Sequence, residues 1–306
     1  MQKISRKKTV EGTRVPGIIK NSQYFYVNVD VYEDGMVNCW ELVDLDGLEE
    51  KIKRNWLIPQ VPDGEIISIH GLGAFKVKSA NWKYDKKSYF KYIKTIIKLL
   101  NPKLNNLYTI SREEKELMQQ RRVGYSPQAK EFYVKRELFY ETTEGDGFTI
   151  FLRYNQRCYL ANLVIYMDGS VVCYTSEFEL NYRLEEIEKL FEDGTLFTNI
   201  EVPTVIHFEN FGEVTFSEST YSAKPMEKFK ELMDMYHKLN GQETTLESCR
   251  KMYFEYLEYP DEDARTKLKE LYESIPEHER IYLGDMDSRD SDYVRIIYHP
   301  EQKREV

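Results

Sequence analysis

The stretch VYEDGMVNCW at positions 31–40 returns at 165–174 as IYMDGSVVCY. No bulk property constrains the fold as tightly, because an internal repeat dictates architecture. At an offset of 134, Tyr32, Asp34, Gly35 and Cys39 align with Tyr166, Asp168, Gly169 and Cys173, and Trp40 aligns with Tyr174. Upstream, Phe25, Val27, Val29 and Val31 face Tyr159, Ala161, Leu163 and Ile165. Further along, the offset grows to about 139. HGLGAFKV (70–77) then faces ENFGEVTF (209–216), and Phe90, Ile93, Ile96, Ile97 and Leu100 face Phe229, Leu232, Met235, Tyr236 and Leu239. The chain carries one unit twice.

Asp-Gly between alternating apolar runs predicts a tight hairpin. A two-residue turn at Asp34-Gly35 sets Val31 opposite Asn38 and Val29 opposite Trp40. Phe25, Val27, Val29, Val31 and Trp40 then share the core face, with Tyr159, Ala161, Leu163, Ile165, Val172 and Tyr174 as their counterparts. A third strand precedes each hairpin at 14–20 and 148–154. Short helices follow at 46–55 and 182–193, second hairpins at 65–79 and 204–218, and closing helices at 86–100 and 225–239, whose apolar residues recur every three or four positions. The expected fold class is α+β: two tandem βββαββα units, each an antiparallel sheet with helices on one side.

The expected division is 12–102 for the first unit, 103–145 for a structured connector, 146–241 for the second unit and 242–306 for a C-terminal module. In the connector, Ser111 and Glu114 form a capping box ahead of a polar helix, and EFYVKRELFYE (131–141) has the look of a strand. In the last module, Thr244 and Glu247 cap a helix whose inward face is Leu246, Cys249, Met252, Tyr253, Tyr256 and Leu257. A second helix runs from Asp261 to Ser274. Residues 280–300 then predict strand, acidic loop, strand.

The chain has 306 residues and a net charge of −9. That balance disfavours nucleic acid, which recruits Lys and Arg to displace counterions, and favours a basic protein partner. A basic start (Lys3, Arg6, Lys7, Lys8) leads into no apolar run, and no stretch has the length of a membrane span. Four cysteines without a CxxC suit reduced thiols in the cytoplasm. No glycine-rich phosphate loop, HExxH or zinc spacing is present, so no cofactor is expected.

The candidate partner contacts are acidic or aromatic. They are Asp34 and Asp168 at the hairpin tips, Glu41, Asp44 and Asp46 after the first hairpin, and the loop Asp285, Asp287, Asp290 and Asp292. Trp56 and Trp82, at element ends, would form an exposed aromatic patch of the kind that anchors interfaces. The alternative is a metal-dependent enzyme or cation site on the 285–292 loop, since hard cations take oxygen ligands. That loop departs from the calcium-hand pattern, with Arg289 at the fifth position and Asp290 where glycine is needed. A solvated turn paired with Arg280, Arg289 or Arg295 accounts for the same acids.

VYEDGMVNCWELVDLDG and YLGDMDSRDSDYVRIIY resemble a bacterial protein family of unknown function, built from one or two copies of this unit and a short module with a Gly-Asp-Met-Asp signature. The resemblance covers most of the chain and implies a cytosolic protein with no catalytic residues to carry over. A looser likeness, at the level of fold, is to immunity proteins that neutralise polymorphic toxins, which are small, acidic, α+β and often duplicated. The expected function is therefore a non-enzymatic acidic interaction module that binds a basic protein.

Overall fold

A computed structural model describes residues 10–121, 143–284 and 291–302. Nine elements run through the first repeat: β1 (Gly12–Asn21), β2 (Gln23–Tyr32), β3 (Val37–Asn38), β4 (Leu42–Val43), α1 (Leu45–Lys53), β5 (Leu57–Ile58), β6 (Ile66–Ile69), β7 (Gly73–Trp82) and α2 (Lys86–Leu100). After α3 (Arg112–Arg121), the second repeat passes through the same nine in the same order: β8 (Gly145–Tyr154), β9 (Arg157–Tyr166), β10 (Ser170–Tyr174), β11 (Glu179–Arg183), α4 (Leu184–Glu192), β12 (Leu196–Phe197), β13 (Thr204–Phe208), β14 (Gly212–Ser222) and α5 (Pro225–Leu239). Each repeat thus has two short strands, β4 and β5 or β11 and β12, that the pattern of apolar residues does not announce. The C-terminal module contains α6 (Thr245–Glu258), α7 (Glu262–Ser274), a 3-10 turn (Glu277–Tyr282) and α8 (Ser291–Tyr298). The fold is α+β.

The repeated hairpin turns on three residues, not two. The Gly35 N–H donates to the Tyr32 carbonyl and the Tyr32 N–H to the Met36 carbonyl, both at 3.0 Å. Gly35 and Gly169 have φ of 86° and 81°, the left-handed conformation that closes a three-residue loop with a bulge. Asp34 and Asp168 brace these loops by accepting from the N–H groups of Met36 (3.1 Å) and Ser170 (2.9 Å). The extra residue sets Val31 opposite Val37 and Val171 opposite Ile165. A one-residue shift turns every later side chain to the other face. Cys39 and Cys173 consequently point inward, at 1% and 0% exposure, while Trp40 and Tyr174 point outward, at 55% and 38%. This corrects the expected register, and with it the placing of Trp40, Val172 and Tyr174 on the core face. Both repeats depart from expectation in the same way.

The chain divides into two compact units that are not the two repeats. The first holds Met1–His70, Ala74–Glu141 and Val202–Glu218, so that the second repeat's later hairpin belongs to it. Its strand order is β5-β1-β2-β6-β7-β14-β13, with β3 joined to β2 and to β4. β2 and β6 pair in parallel, Tyr24 lying opposite Ile67. The sheet is otherwise mostly antiparallel, as expected. Rings fill the sheet's interior: Phe75 lies 5.4 Å from Phe216, Tyr26 5.4 Å from Phe208 and Tyr89 5.8 Å from Phe211. α2 buries Tyr89, Ile93 and Ile97, the spacing of a single helical face.

The second unit holds Gly71–Gly73, Thr142–Glu201 and Ser219–Val306. Its strand order is β11-β10-β9-β8-β12. α4 buries Ile187 and Phe191, and α5 sets Phe229 6.2 Å from Phe191. The C-terminal module has a core of its own in Cys249, Leu268, Tyr272, Ile275, Leu283, Tyr293, Ile296 and Ile297. Where strands were expected near its end, Tyr293, Ile296 and Ile297 fall at helical spacing on α8 and pack into that core. The strand expected at 131–141 lies outside the described residues.

Candidate functional site

The acids singled out by sequence divide by what holds them. Asp44 is withdrawn from the surface at 2% exposure. Its carboxylate caps α1 through the Gly47 N–H at 2.8 Å and accepts from the Ile110 N–H at 2.9 Å, which makes it a structural brace. Asp168 is exposed, and its hydrogen bonds from the Ser170 hydroxyl and N–H hold its carboxyl below the ordinary range. Asp292 lies in the first turn of α8, within 3.4 Å of both the Tyr253 hydroxyl and Arg295. Asp285, Asp287 and Asp290 lie outside the described residues. No group of three or more metal-binding side chains forms among the described residues.

The tryptophans gather differently from the expected pairing. Trp40 stands with Trp56, their rings 6.4 Å apart, and with Phe25 at 5.4 Å. Lys51 lies 5.2 Å over the Trp56 ring and 2.7 Å from Glu41. The backbone of Trp40 is left-handed, with φ of 67°, a conformation that costs a non-glycine residue on the order of 1–3 kcal/mol. Acids nearby are mostly engaged within the chain: Glu41 with Lys51, Glu49 with Lys53 and Glu50 with Arg54. Asp46 is exposed and forms no ion pair with a described residue. Trp82 lies elsewhere, donating its indole N–H to the Val61 carbonyl at 3.1 Å and packing on Phe211.

A surface that sequence reasoning missed lies at the corner between α6 and α7. Phe254, Leu257 and Tyr259 are exposed at 57%, 52% and 73%. Leu257 was expected inward. The inward stripe instead ends with Tyr253 and Tyr256, and Phe254 and Leu257, three residues apart, form a second stripe on the outer side. Around them, Glu255, Glu258 and Asp263 are exposed and form no ion pair with a described residue. Asp261 caps α7 through the Ala264 N–H at 2.7 Å, and Glu262 pairs with Arg265. The signal was present in the sequence as Phe254 and Leu257 off the core stripe, followed by Tyr-Pro and a run of acids.

No helix among the described residues is long and apolar enough to cross a membrane. Residues 1–104 and 133–243 match the model of a domain of unknown function, DUF7638, and residues 244–305 match that of a second such domain, DUF7639. No curated protein and no solved structure matches the chain.

Proposed function

Since the chain belongs to the DUF7638 family, whose function is unknown, we propose from its geometry that it is an acidic protein-interaction module, binding a basic, apolar-faced segment of a partner at the α6–α7 corner. The observation that carries this reading is the conjunction there of three exposed large apolar side chains with exposed carboxylates that form no ion pair with a described residue. Interfaces concentrate their energy in a few apolar anchors inside a polar rim. Carboxylates in that rim set orientation and on-rate for a cationic partner, and the net charge of −9 steers the same way. An amphipathic helix with lysines or arginines flanking leucine-like anchors has the matching chemistry. Unpaired thiols at all four cysteines support a cytoplasmic setting.

The test places a photoreactive benzoylphenylalanine at position 257 of the full chain in its native host. The expected adduct is a Lys- or Arg-rich segment of another protein. It should weaken with added salt and be lost with Phe254→Ser, which removes an anchor worth about 2 kcal/mol, or roughly thirtyfold in affinity. Adducts confined to the chain itself, or unchanged by Phe254→Ser, would overturn the reading.

A further inference from the structure

We propose that the first repeat holds a binding groove for a small anion that carries a flat ring, the chemistry of a mononucleotide. The site is independent of the α6–α7 surface and has the opposite charge. Its cavity, of about 790 Å³, lies where the first turn of α2 meets the segment after β5, and Lys20, Tyr24, Gln60, Trp82, Lys86 and Lys87 line it. That volume is within the range of small-molecule sites, roughly 300–1,000 Å³.

The charge of the groove runs against that of the molecule. In a chain of net charge −9, three lysines converge here with a single carboxylate, Asp85. That carboxylate is already committed. It accepts from the Ser88 N–H at 2.7 Å and from the Ser88 hydroxyl at 2.8 Å as the cap of α2. None of the three lysines forms an ion pair with a described carboxylate, and Lys20 rests 5.4 Å over the Tyr24 ring. A phosphate would meet three ammonium groups there with no described carboxylate to displace from them.

The wall for a flat ring is Trp82. Its indole N–H is tied to the Val61 carbonyl at 3.1 Å, and Phe211 and Phe208 meet it edge-on at 5.6 and 6.3 Å. A ring fixed in this way loses little freedom when a base stacks on it.

The second repeat supplies the control. It builds the same strand and the same fifteen-residue helix, yet Trp82, Asp85, Lys86 and Lys87 are replaced by Tyr221, Lys224, Pro225 and Met226. Proline is the better residue for a first helical position. The scaffold therefore has no need of Lys86 or Lys87, and their presence in the first repeat points to a ligand.

The test uses the full chain, labelled so that its three tryptophan indole N–H signals are resolved by NMR, and titrates the four 5′-mononucleotides, with inorganic phosphate and adenosine as separate arms. The expected result is that a nucleotide moves the Trp82 signal and leaves those of Trp40 and Trp56 in place. The double variant Lys86→Pro, Lys87→Met, which installs the second repeat's own residues, should raise its Kd tenfold or more. Three results would overturn the proposal: no shift at Trp82 at millimolar nucleotide, equal binding by the double variant, or phosphate alone binding as tightly as any nucleotide.

Discussion

The two repeats keep nine elements in common and differ in how helix and sheet fill the space between them. Gly17 and Ile150 are equivalent, since they pair with Val27 and Ala161. In the first repeat the helix supplies bulk: Tyr89 is fully buried, and its hydroxyl donates to the Pro16 carbonyl at 2.8 Å. The strand gives way beneath it, because a Cβ on Gly17 would come within 2.8 Å of the Tyr89 hydroxyl and 2.7 Å of Val29 Cγ2. In the second repeat the strand supplies bulk through Ile150 and Phe148, and the helix brings Lys228. That lysine is fully buried, 2.5 Å from Glu231 and 3.7 Å from the centre of the Phe148 ring. Burial pushes its ammonium pKa down, with Glu231 acting against the shift. The strand carries the bulk in one repeat and the helix in the other, so that each close-packed interior is filled by a different chemistry.

The sharpest way to break this comparison is at Lys228. Truncating one member of a buried, hydrogen-bonded ion pair is strongly destabilising, since both its pairing and its packing go. Lys228→Ala should cost about 3–5 kcal/mol in urea denaturation of the full chain, and Lys228→Met distinctly less, because it refills the space. Equal, small losses for both would mean that the ammonium is solvated. A smaller effect is expected at Gly17. Gly17→Ala should cost on the order of 1–3 kcal/mol by overpacking, and less in a Tyr89→Phe background, where the crowded hydroxyl is gone. Strict additivity of the two substitutions would show that the helix and strand do not compensate each other.

Most of this architecture was legible because it is local. The capping boxes stand as the sequence wrote them: the Glu114 carboxylate accepts from the Ser111 N–H at 2.7 Å, and that of Glu247 from the Thr244 N–H at 2.9 Å. The bounds of α2 and α5 follow from apolar spacing alone. What failed depended on one residue of register or on distant partners. Asp-Gly serves two-residue and three-residue loops alike, so the facing of Trp40 was a choice the sequence left open. The parallel contact of β2 with β6 joins segments some forty residues apart, and nothing near either strand encodes it. Ile296 and Ile297 carry strand propensity, yet their spacing from Tyr293 is helical, and the core of α6 and α7 decides for the helix. Of the candidate site, the acids were visible, but their availability was not. Whether a carboxylate caps a helix, as Asp44 does, or lies exposed with no ion pair to a described residue, as Glu255 does, depends on neighbours that only the fold supplies.

Both repeats take the same inward cysteine register, with Cys39 and Cys173 buried. Burial pushes the thiols of Cys39 and Cys173 up to about 11 and about 12, well above the roughly 8.5 of a free thiol. Because the folded values are the higher ones, their contribution to stability is complete below about pH 8.5 and is lost as pH rises toward those values. The most direct measurement is therefore alkylation of the native full chain near neutral pH, followed by mass spectrometry of each cysteine. Cys39 and Cys173 should stay protected together until the chain unfolds, while half-buried Cys158 reacts first. Rapid labelling of both would restore the register that puts Trp40 inside, and labelling of Cys39 alone would show that the two halves do not fold alike.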